Sequence, residues 1–149
     1  MPKSVRGFTL VELLVVISII AILTTIGLVM YSHVRKVARD AKRQADLKLI
    51  QSALEQYYAD QKFYPYAALN SSPFTNATGN PSPSGTKTYL NTIPTDPKDG
   101  SNYNYMVGGC DSNSANCQTY CIYTNLENLS ASSLPSGCTA NYNFAVTKP

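Results

Sequence analysis

The sequence predicts an α+β fold, in which a long N-terminal α-helix packs through its C-terminal half on a small, disulfide-stabilised antiparallel β-sheet. The first indication is an apolar run over residues 8–31 that continues into residues 32–59 without Pro or Gly and with apolar positions at helical spacing. The second is a set of short segments of alternating polarity in the last third of the chain. The third is the clustering of all four cysteines in that same part.

Residues 8–31 are the most apolar part of the chain, and Glu12 is their single charge. As a helix they would be roughly 36 Å long, enough to cross a hydrocarbon core of ~30 Å. The short basic stretch before them, residues 1–7, fits a cleaved secretory signal, an uncleaved anchor, or a segment with a function of its own. Glu12 leaves two interpretations open, because a carboxylate in a membrane costs several kcal/mol unless it is paired or reaches the interface. It is either a functional group of the segment or a side chain that extends to the interface, which its place near the start of the apolar run permits.

The helix is predicted to continue from residue 32 to about residue 59. Its apolar positions lie three or four residues apart, as on one buried helix face, at Leu47, Ile50, Leu54 and Tyr57. Pro65 then ends it, since the residue before a proline disfavours helix. A helix of about 50 residues is roughly 75 Å long, so in a small protein it needs partners outside its own domain. That requirement suits a filament subunit.

A basic cluster follows the apolar run, at Arg35, Lys36, Arg39, Lys42 and Arg43. It could bind DNA, anionic lipid headgroups or acidic patches of neighbouring subunits. It could equally be a solvated helix face that is partly paired along itself. By charge alone, this cluster would place the C-terminal part of the chain in the cytoplasm.

Residues 60–149 are predicted to form a globular head. Residues 70–88 are rich in Pro, Gly, Ser, Asn and Thr, which predicts a loop. Strands are predicted at residues 102–107, 119–126 and 141–147, with the first two joined as a hairpin. Apolar side chains alternate along the first and third strands, at Tyr103, Tyr105, Val107, Tyr142, Phe144 and Val146. The resulting apolar face would pack on the second half of the helix.

The cysteines of the head are Cys110, Cys117, Cys121 and Cys138. Their even number predicts two disulfide bonds if the head lies outside the cytoplasm. Four thiolates could instead bind zinc, but these spacings do not form paired C-x2-C motifs. A Cys110–Cys117 bond would close the hairpin loop and leave Cys121–Cys138, although the sequence leaves the other two connectivities open.

The residues Arg-Gly-Phe-Thr-Leu-Val-Glu-Leu at positions 6–13 resemble the class III signal of type IV prepilins and type II secretion pseudopilins. The resemblance implies a leader, residues 1–7, that an inner-membrane prepilin peptidase removes by cutting after Gly7. Phe8 would become an N-methylated N-terminus, and Glu12 would pair with the amino group of a neighbouring subunit's Phe8. The family's fold, a type IV pilin-like long helix with a small sheet, agrees with the fold predicted above.

The resemblance also bears on weaker features. Many members carry a proline at the position of Val29, and this chain does not. If the helix melts locally on assembly, as in several such filaments, the expected positions are Thr24, Thr25 and Gly27. Tyr-Leu-Asn-Thr-Ile-Pro-Thr-Asp-Pro-Lys-Asp-Gly, at positions 89–100, is similar to a segment of major pseudopilins and of some Gram-positive pilins. A related loop holds calcium in some pseudopilins, so the candidate calcium ligands are Asp96, Asp99 and Asp111. No other cofactor is predicted.

The sequence predicts a structural protein and no enzyme, since its one histidine, His33, borders the membrane segment and no catalytic motif is visible. The first prediction is a pilin that leaves the inner or cytoplasmic membrane for an extracellular surface filament serving adhesion, motility or DNA uptake. Its partners would be copies of itself, the peptidase and the pilus or secretion assembly machinery; DNA is a further possible partner. The alternatives are a major pseudopilin of type II secretion and a membrane-anchored extracellular binding domain.

Overall fold

The structure, a computed structural model, describes residues 7–66, 69, 73–76, 87–111, 116–129, 134, 138 and 142–149, with the backbone alone at Val29. Its elements in chain order are α1 (Leu10–Gln61), β1 (Phe74–Thr75), β2 (Thr88–Leu90), β3 (Asn104–Gly108), β4 (Thr119–Thr124) and β5 (Phe144–Thr147). Contacts divide the chain into two compact units, one ending at Lys36 and one comprising Val37–Pro149. The second unit contains both sheets and is called the head below.

Helix α1 begins two residues later than predicted and ends at Gln61. The helix stops because Lys62 adopts a left-handed conformation, with φ 68°. The amide of Lys62 still donates a helical hydrogen bond to the carbonyl of Tyr58, at 2.8 Å. Pro65 then prevents any further helix. The chain turns back at once, since the amide of Tyr64 donates to the carbonyl of Cys117 at 2.8 Å.

In the head, the C-terminal part of α1 packs on a three-stranded antiparallel sheet of order β3-β4-β5. The register places Ile122 opposite Tyr105 on one side and Val146 on the other, so these three side chains share one face. The core contains the predicted helix positions together with residues of β4 and β5: Leu47, Ile50, Leu54, Tyr57, Tyr120, Ile122 and Val146. The predicted α+β architecture is confirmed.

The predicted loop over residues 70–88 is wrong at Phe74–Thr75 and at Thr88, because β1 pairs with β2 in a second, two-stranded sheet. Residues 70–72 and 77–86 of this prediction lie outside the described residues. Phe74 explains the difference. Its ring is buried and lies 5.4 Å from that of Tyr57 and 5.6 Å from that of Tyr89, measured between ring centroids. Burial of this aromatic ring thus favours a strand at Phe74–Thr75, where composition alone predicts a loop.

The three predicted strands exist, but with shifted ends. β3 starts at Asn104 rather than at residue 102. Asn102 instead forms an isolated bridge with Thr95. β4 ends at Thr124 rather than at residue 126, and β5 starts at Phe144 rather than at 141. Residue 141 itself lies outside the described residues.

The four cysteines form two disulfide bonds, Cys110–Cys117 and Cys121–Cys138. This is the connectivity in which the first bond closes the β3–β4 hairpin. The second joins the central strand β4 to the chain ahead of β5. Because all four sulfurs are in disulfides, the zinc alternative does not apply.

Candidate functional site

The N-terminus of α1 is closed by Thr9 and Glu12. The backbone amide and the hydroxyl of Thr9 donate to Oε2 of Glu12 at 2.9 and 2.8 Å, and the amide of Glu12 approaches Oγ1 of Thr9 at 3.2 Å. This reciprocal arrangement is a capping box. It turns the Glu12 carboxylate toward the N-terminal end of the helix, where Gly7 and Phe8 lie.

The first unit presents an apolar surface. Its large apolar side chains are exposed along the helix, from Phe8 (81%) to Val34 (60%). Helix α1 is long and apolar enough to cross a membrane, judged by length and composition. Because exposed apolar surface of this extent is unfavourable in water, the segment requires lipid or other protein around it.

The predicted soft positions Thr24, Thr25 and Gly27 lie within the uninterrupted helix α1. The hydroxyl of Thr24 donates to the carbonyl of Ile20 at 2.7 Å, and that of Thr25 donates to the carbonyl of Ala21 at 2.8 Å. Such bonds satisfy a hydroxyl in an apolar surrounding and compete with the helical hydrogen bonds. Local melting at these positions stays a prediction.

In the head, Arg43 is the centre of an ionic network. Only 3% of it is exposed. Its guanidinium binds Asp96 in a bidentate pair, with Nε–Oδ2 at 2.7 Å and Nη2–Oδ1 at 3.0 Å. Its Nη1 donates to Asp40 Oδ1 at 2.8 Å and to Glu127 Oε1 at 3.1 Å. Three carboxylates therefore surround one guanidinium.

Arg39 and Asp40 complete this network. Arg39 binds Glu127 in a second bidentate pair, at 2.6 and 2.7 Å. The carboxylate of Asp40 accepts from the backbone amides of Glu127 and Asn128 at 2.8 and 2.9 Å. The network thus joins α1 to two loops, the one after β2 that contains Asp96 and the one after β4 that contains Glu127.

The carboxylates of the network have lowered pKa values. Hydrogen bonds from Arg39, and then from Arg43, lower the pKa of Glu127 to about 2. The pKa of Asp96 is also lowered, mainly because Arg43 donates to it. Burial alone would raise the pKa of Asp40, but hydrogen bonds from the amides of Glu127 and Asn128 and from Arg43 bring it below its usual value.

We expect the head to lose stability as the pH falls from about 4.5 toward about 2. A carboxylate with a depressed folded pKa stabilises fully only above its unfolded pKa, about 4 for Asp and Glu. This stabilisation disappears as the pH falls through the folded pKa, about 2 for Glu127. Melting temperatures measured across this pH range test the prediction. Glu127→Gln should have a lower melting temperature than the wild type at pH 4.5, and its melting temperature should fall less as the pH is lowered. An unchanged wild-type melting temperature would contradict it.

The network changes the interpretation of the basic cluster. Arg39 and Arg43 bind carboxylates of their own head, so Arg43 in particular is buried and does not offer its charge to DNA or lipid. Arg35 lies over the ring of Tyr31, 5.4 Å from its centroid. Lys36 and Lys42 are exposed. The partners of Arg39 and Arg43 were missed, and only the three-residue spacing of Asp40 and Arg43 is a local signal for them.

The candidate calcium ligands are used in other ways. Both oxygens of Asp96 accept from Arg43. One oxygen of Asp99 accepts from the backbone amide two positions later, at 2.9 Å, and Asp111 accepts from the side chain of Asn116 at 2.7 Å. Within the described parts of the chain, no group of three His, Cys, Asp or Glu side chains is arranged to hold a metal ion.

Comparison with known proteins gives two family matches. Residues 2–28 match the family described as "Prokaryotic N-terminal methylation motif". Residues 31–120 match "Type II secretion system (T2SS), protein G". The second match covers more than half of the chain and includes the second half of α1 as well as β1 to β3.

One relative is the "Type II secretion system core protein G" of Pseudomonas aeruginosa. It is 34% identical over 114 residues, which cover 72% of this chain and 77% of that protein. No solved structure matches the chain.

Proposed function

This chain belongs to the type II secretion system protein G family, and we propose that it is a pseudopilin, a structural subunit of a secretion filament. The observation that carries the proposal is the match over residues 31–120. This match lies in the head and the second half of α1, whereas the N-terminal motif resembles pilins and pseudopilins alike. The protein acts by assembling with copies of itself and not as an enzyme.

The family match favours the pseudopilin over the surface pilus that was the first prediction from the sequence. In the sequence, two disulfides in the C-terminal region favour a pilin, whereas the segment at residues 89–100 favours a pseudopilin. Disulfides report only an oxidising compartment, which both classes of filament share. The filament is therefore a short one of the secretion apparatus in the cell envelope, rather than an adhesive or DNA-binding fibre.

The precursor is anchored in the cytoplasmic membrane by residues 8–31, with its head on the far side. A prepilin peptidase cuts after Gly7, and Phe8 becomes the methylated N-terminus. The exposed apolar side chains of the first unit then exchange lipid for the helices of neighbouring subunits. Burial of this apolar surface supplies the cohesion of the filament.

Glu12 provides register in this assembly. Its carboxylate points toward the N-terminal end of α1, held by Thr9 through Oε2. In the filament, the amino group of a neighbour's Phe8 pairs with this carboxylate. A charge buried without a partner is strongly penalised, so the pair selects one axial position of each subunit more than it adds stability.

N-terminal mass spectrometry of the chain from native membranes tests the processing step. We expect a chain that begins at N-methylated Phe8. Gly7→Val should block the cut, since it adds a branched side chain next to the bond, and should leave a precursor that begins at Met1. Gly27→Ala is the matched control, because a Cβ at Gly27 meets nothing within 4 Å.

Gly27→Ala chains should be cut like the wild type. Recovery of the mature form from Gly7→Val would mean that the cut lies elsewhere. A wild-type chain that retains Met1 would instead support the membrane-anchored binding domain.

A further inference from the structure

Arg43 occupies the position in the head at which three acidic side chains converge. Two of the acids come from loops, Asp96 after β2 and Glu127 after β4, while Asp40 belongs to α1 itself. The side chain of Arg43 is 4% exposed, and those of its three partners are 10–17% exposed. The guanidinium therefore holds the two loops on the helix from within.

Calcium, for which the family resemblance suggests Asp96 together with Asp99 and Asp111, does not fit the three acids around Arg43. A calcium ion takes six to eight oxygen ligands. Here both oxygens of Asp96 accept from Arg43, and both oxygens of Glu127 accept from Arg39. Both oxygens of Asp40 also accept hydrogen bonds, including three from the segment Glu127–Asn128. The carboxylate oxygens that a metal would need at the position of Arg43 already have partners.

We propose that Arg43 is a built-in cation that takes the place of a divalent metal ion in this head. A planar guanidinium with five donors can bridge several carboxylates at once, which is the task of a metal ion between loops. The loops that contain Asp96 and Glu127 are then held on α1 by Arg43, without a calcium ion between them. The proposal goes beyond the assembly function and does not depend on it.

The charges give the proposal a testable consequence. Without Arg43, the three carboxylates and Arg39 leave a net charge of −2, which one divalent cation would neutralise. A surface cavity of about 460 Å³ borders Arg43, Asp96 and Glu127, so ions can reach this position from solvent. Removal of the Arg43 charge should therefore create a calcium requirement that the wild type lacks.

The first experiment compares the melting temperature of the full chain in detergent with EDTA and with millimolar calcium chloride. Tyrosine fluorescence reports mainly on the head, because the chain has no Trp and, of its 11 Tyr, only Tyr31 lies outside Val37–Pro149. We expect the wild-type values to agree within about 1 °C. A ligand at 100 times its Kd would raise the melting temperature by roughly 10 °C, so a rise of several degrees with calcium would overturn the proposal.

The second experiment uses Arg43→Met, which keeps a long side chain and removes the charge. Its melting temperature in EDTA should fall by more than about 5 °C, because the acids are left without their partner. Calcium should recover part of this loss. If calcium does not raise the melting temperature of Arg43→Met, the proposal that Arg43 takes the place of a metal ion is wrong.

Two further variants control for folding and for charge. Lys42→Met removes an exposed basic residue one position away and should neither lower the melting temperature nor create a response to calcium. Arg43→Lys keeps the charge and should fold with an intermediate melting temperature and no calcium response. If Arg43→Met does not fold, Arg43→Lys and the wild type still test the proposal. A rise in the melting temperature of either protein with calcium would contradict it.

Discussion

Glu12→Ala is expected to leave the cut after Gly7 largely intact and to reduce assembled filament at least tenfold. Loss of one partner from a buried ion pair costs about 3–5 kcal/mol, and each 1.4 kcal/mol corresponds to a factor of ten in an equilibrium constant. The measurement is the amount of chain that is cross-linked into multimers in native membranes, with N-terminal mass spectrometry as the check on cleavage.

A matched variant separates pairing between subunits from capping within one subunit. Thr9→Ala removes the hydroxyl of the capping box but keeps the Glu12 carboxylate. A lost cap costs typically about 1 kcal/mol, so Thr9→Ala should reduce assembly only mildly. If Thr9→Ala impaired assembly as much as Glu12→Ala, the role of Glu12 would be capping. Normal multimers from Glu12→Ala would rule out its pairing with Phe8.

The second large effect is expected at Leu54, which is fully buried between α1 and the sheet, with 0% of its surface exposed. Leu54→Ala should lower the free energy of unfolding by about 2–5 kcal/mol, since it removes buried methyl groups and leaves a cavity. Leu49 offers the same substitution on the same helix at 48% exposure. Leu49→Ala should change stability by less than about 1 kcal/mol.

Urea unfolding of both leucine variants, followed by tyrosine fluorescence, provides the comparison. A markedly lower midpoint for Leu54→Ala than for Leu49→Ala supports the packing of α1 on the sheet. Equal midpoints would mean that the buried face of the helix has been assigned incorrectly. The result bears on the proposed filament as well, because the head would have to remain folded on the same helix that packs between subunits there.

The features that were predictable from sequence are those with a strong local pattern. The buried face of α1 follows from the spacing of Leu47, Ile50 and Leu54, which only a helix brings to one side. The end of α1 follows from Pro65, within a few residues. The Cys110–Cys117 bond was one of three connectivities that the sequence left open, although these two residues flank the turn between two predicted strands.

The ionic network could not be predicted, since its partners are distant in the chain. Arg43 and Asp96 are 53 residues apart, and Arg39 and Glu127 are 88 apart. From the sequence, these arginines were therefore interpreted as part of an exposed basic cluster. The tertiary structure shows that acids from distant parts of the chain bind them. Phe74 illustrates the same limit, because its burial against Tyr57 and Tyr89 overrides a loop-forming composition.

The choice between pilus and pseudopilin was also beyond local patterns. The motif around Gly7 and Glu12 describes processing and assembly, which the two classes share. What separates them is the head, where the sequence offered only the disulfides and the segment at residues 89–100. The family match over residues 31–120 supplies the distinction.

The most direct test of the pseudopilin assignment is the set of proteins that the native bacterium releases into the medium, compared between the wild type and a strain that lacks this chain. We expect type II secretion substrates to disappear from the medium and accumulate in the cell envelope, while proteins released by other routes remain unchanged. The wild-type chain should restore release, and Glu12→Ala should not. Unchanged release, together with loss of surface pili, would contradict the assignment and identify the chain as a pilin.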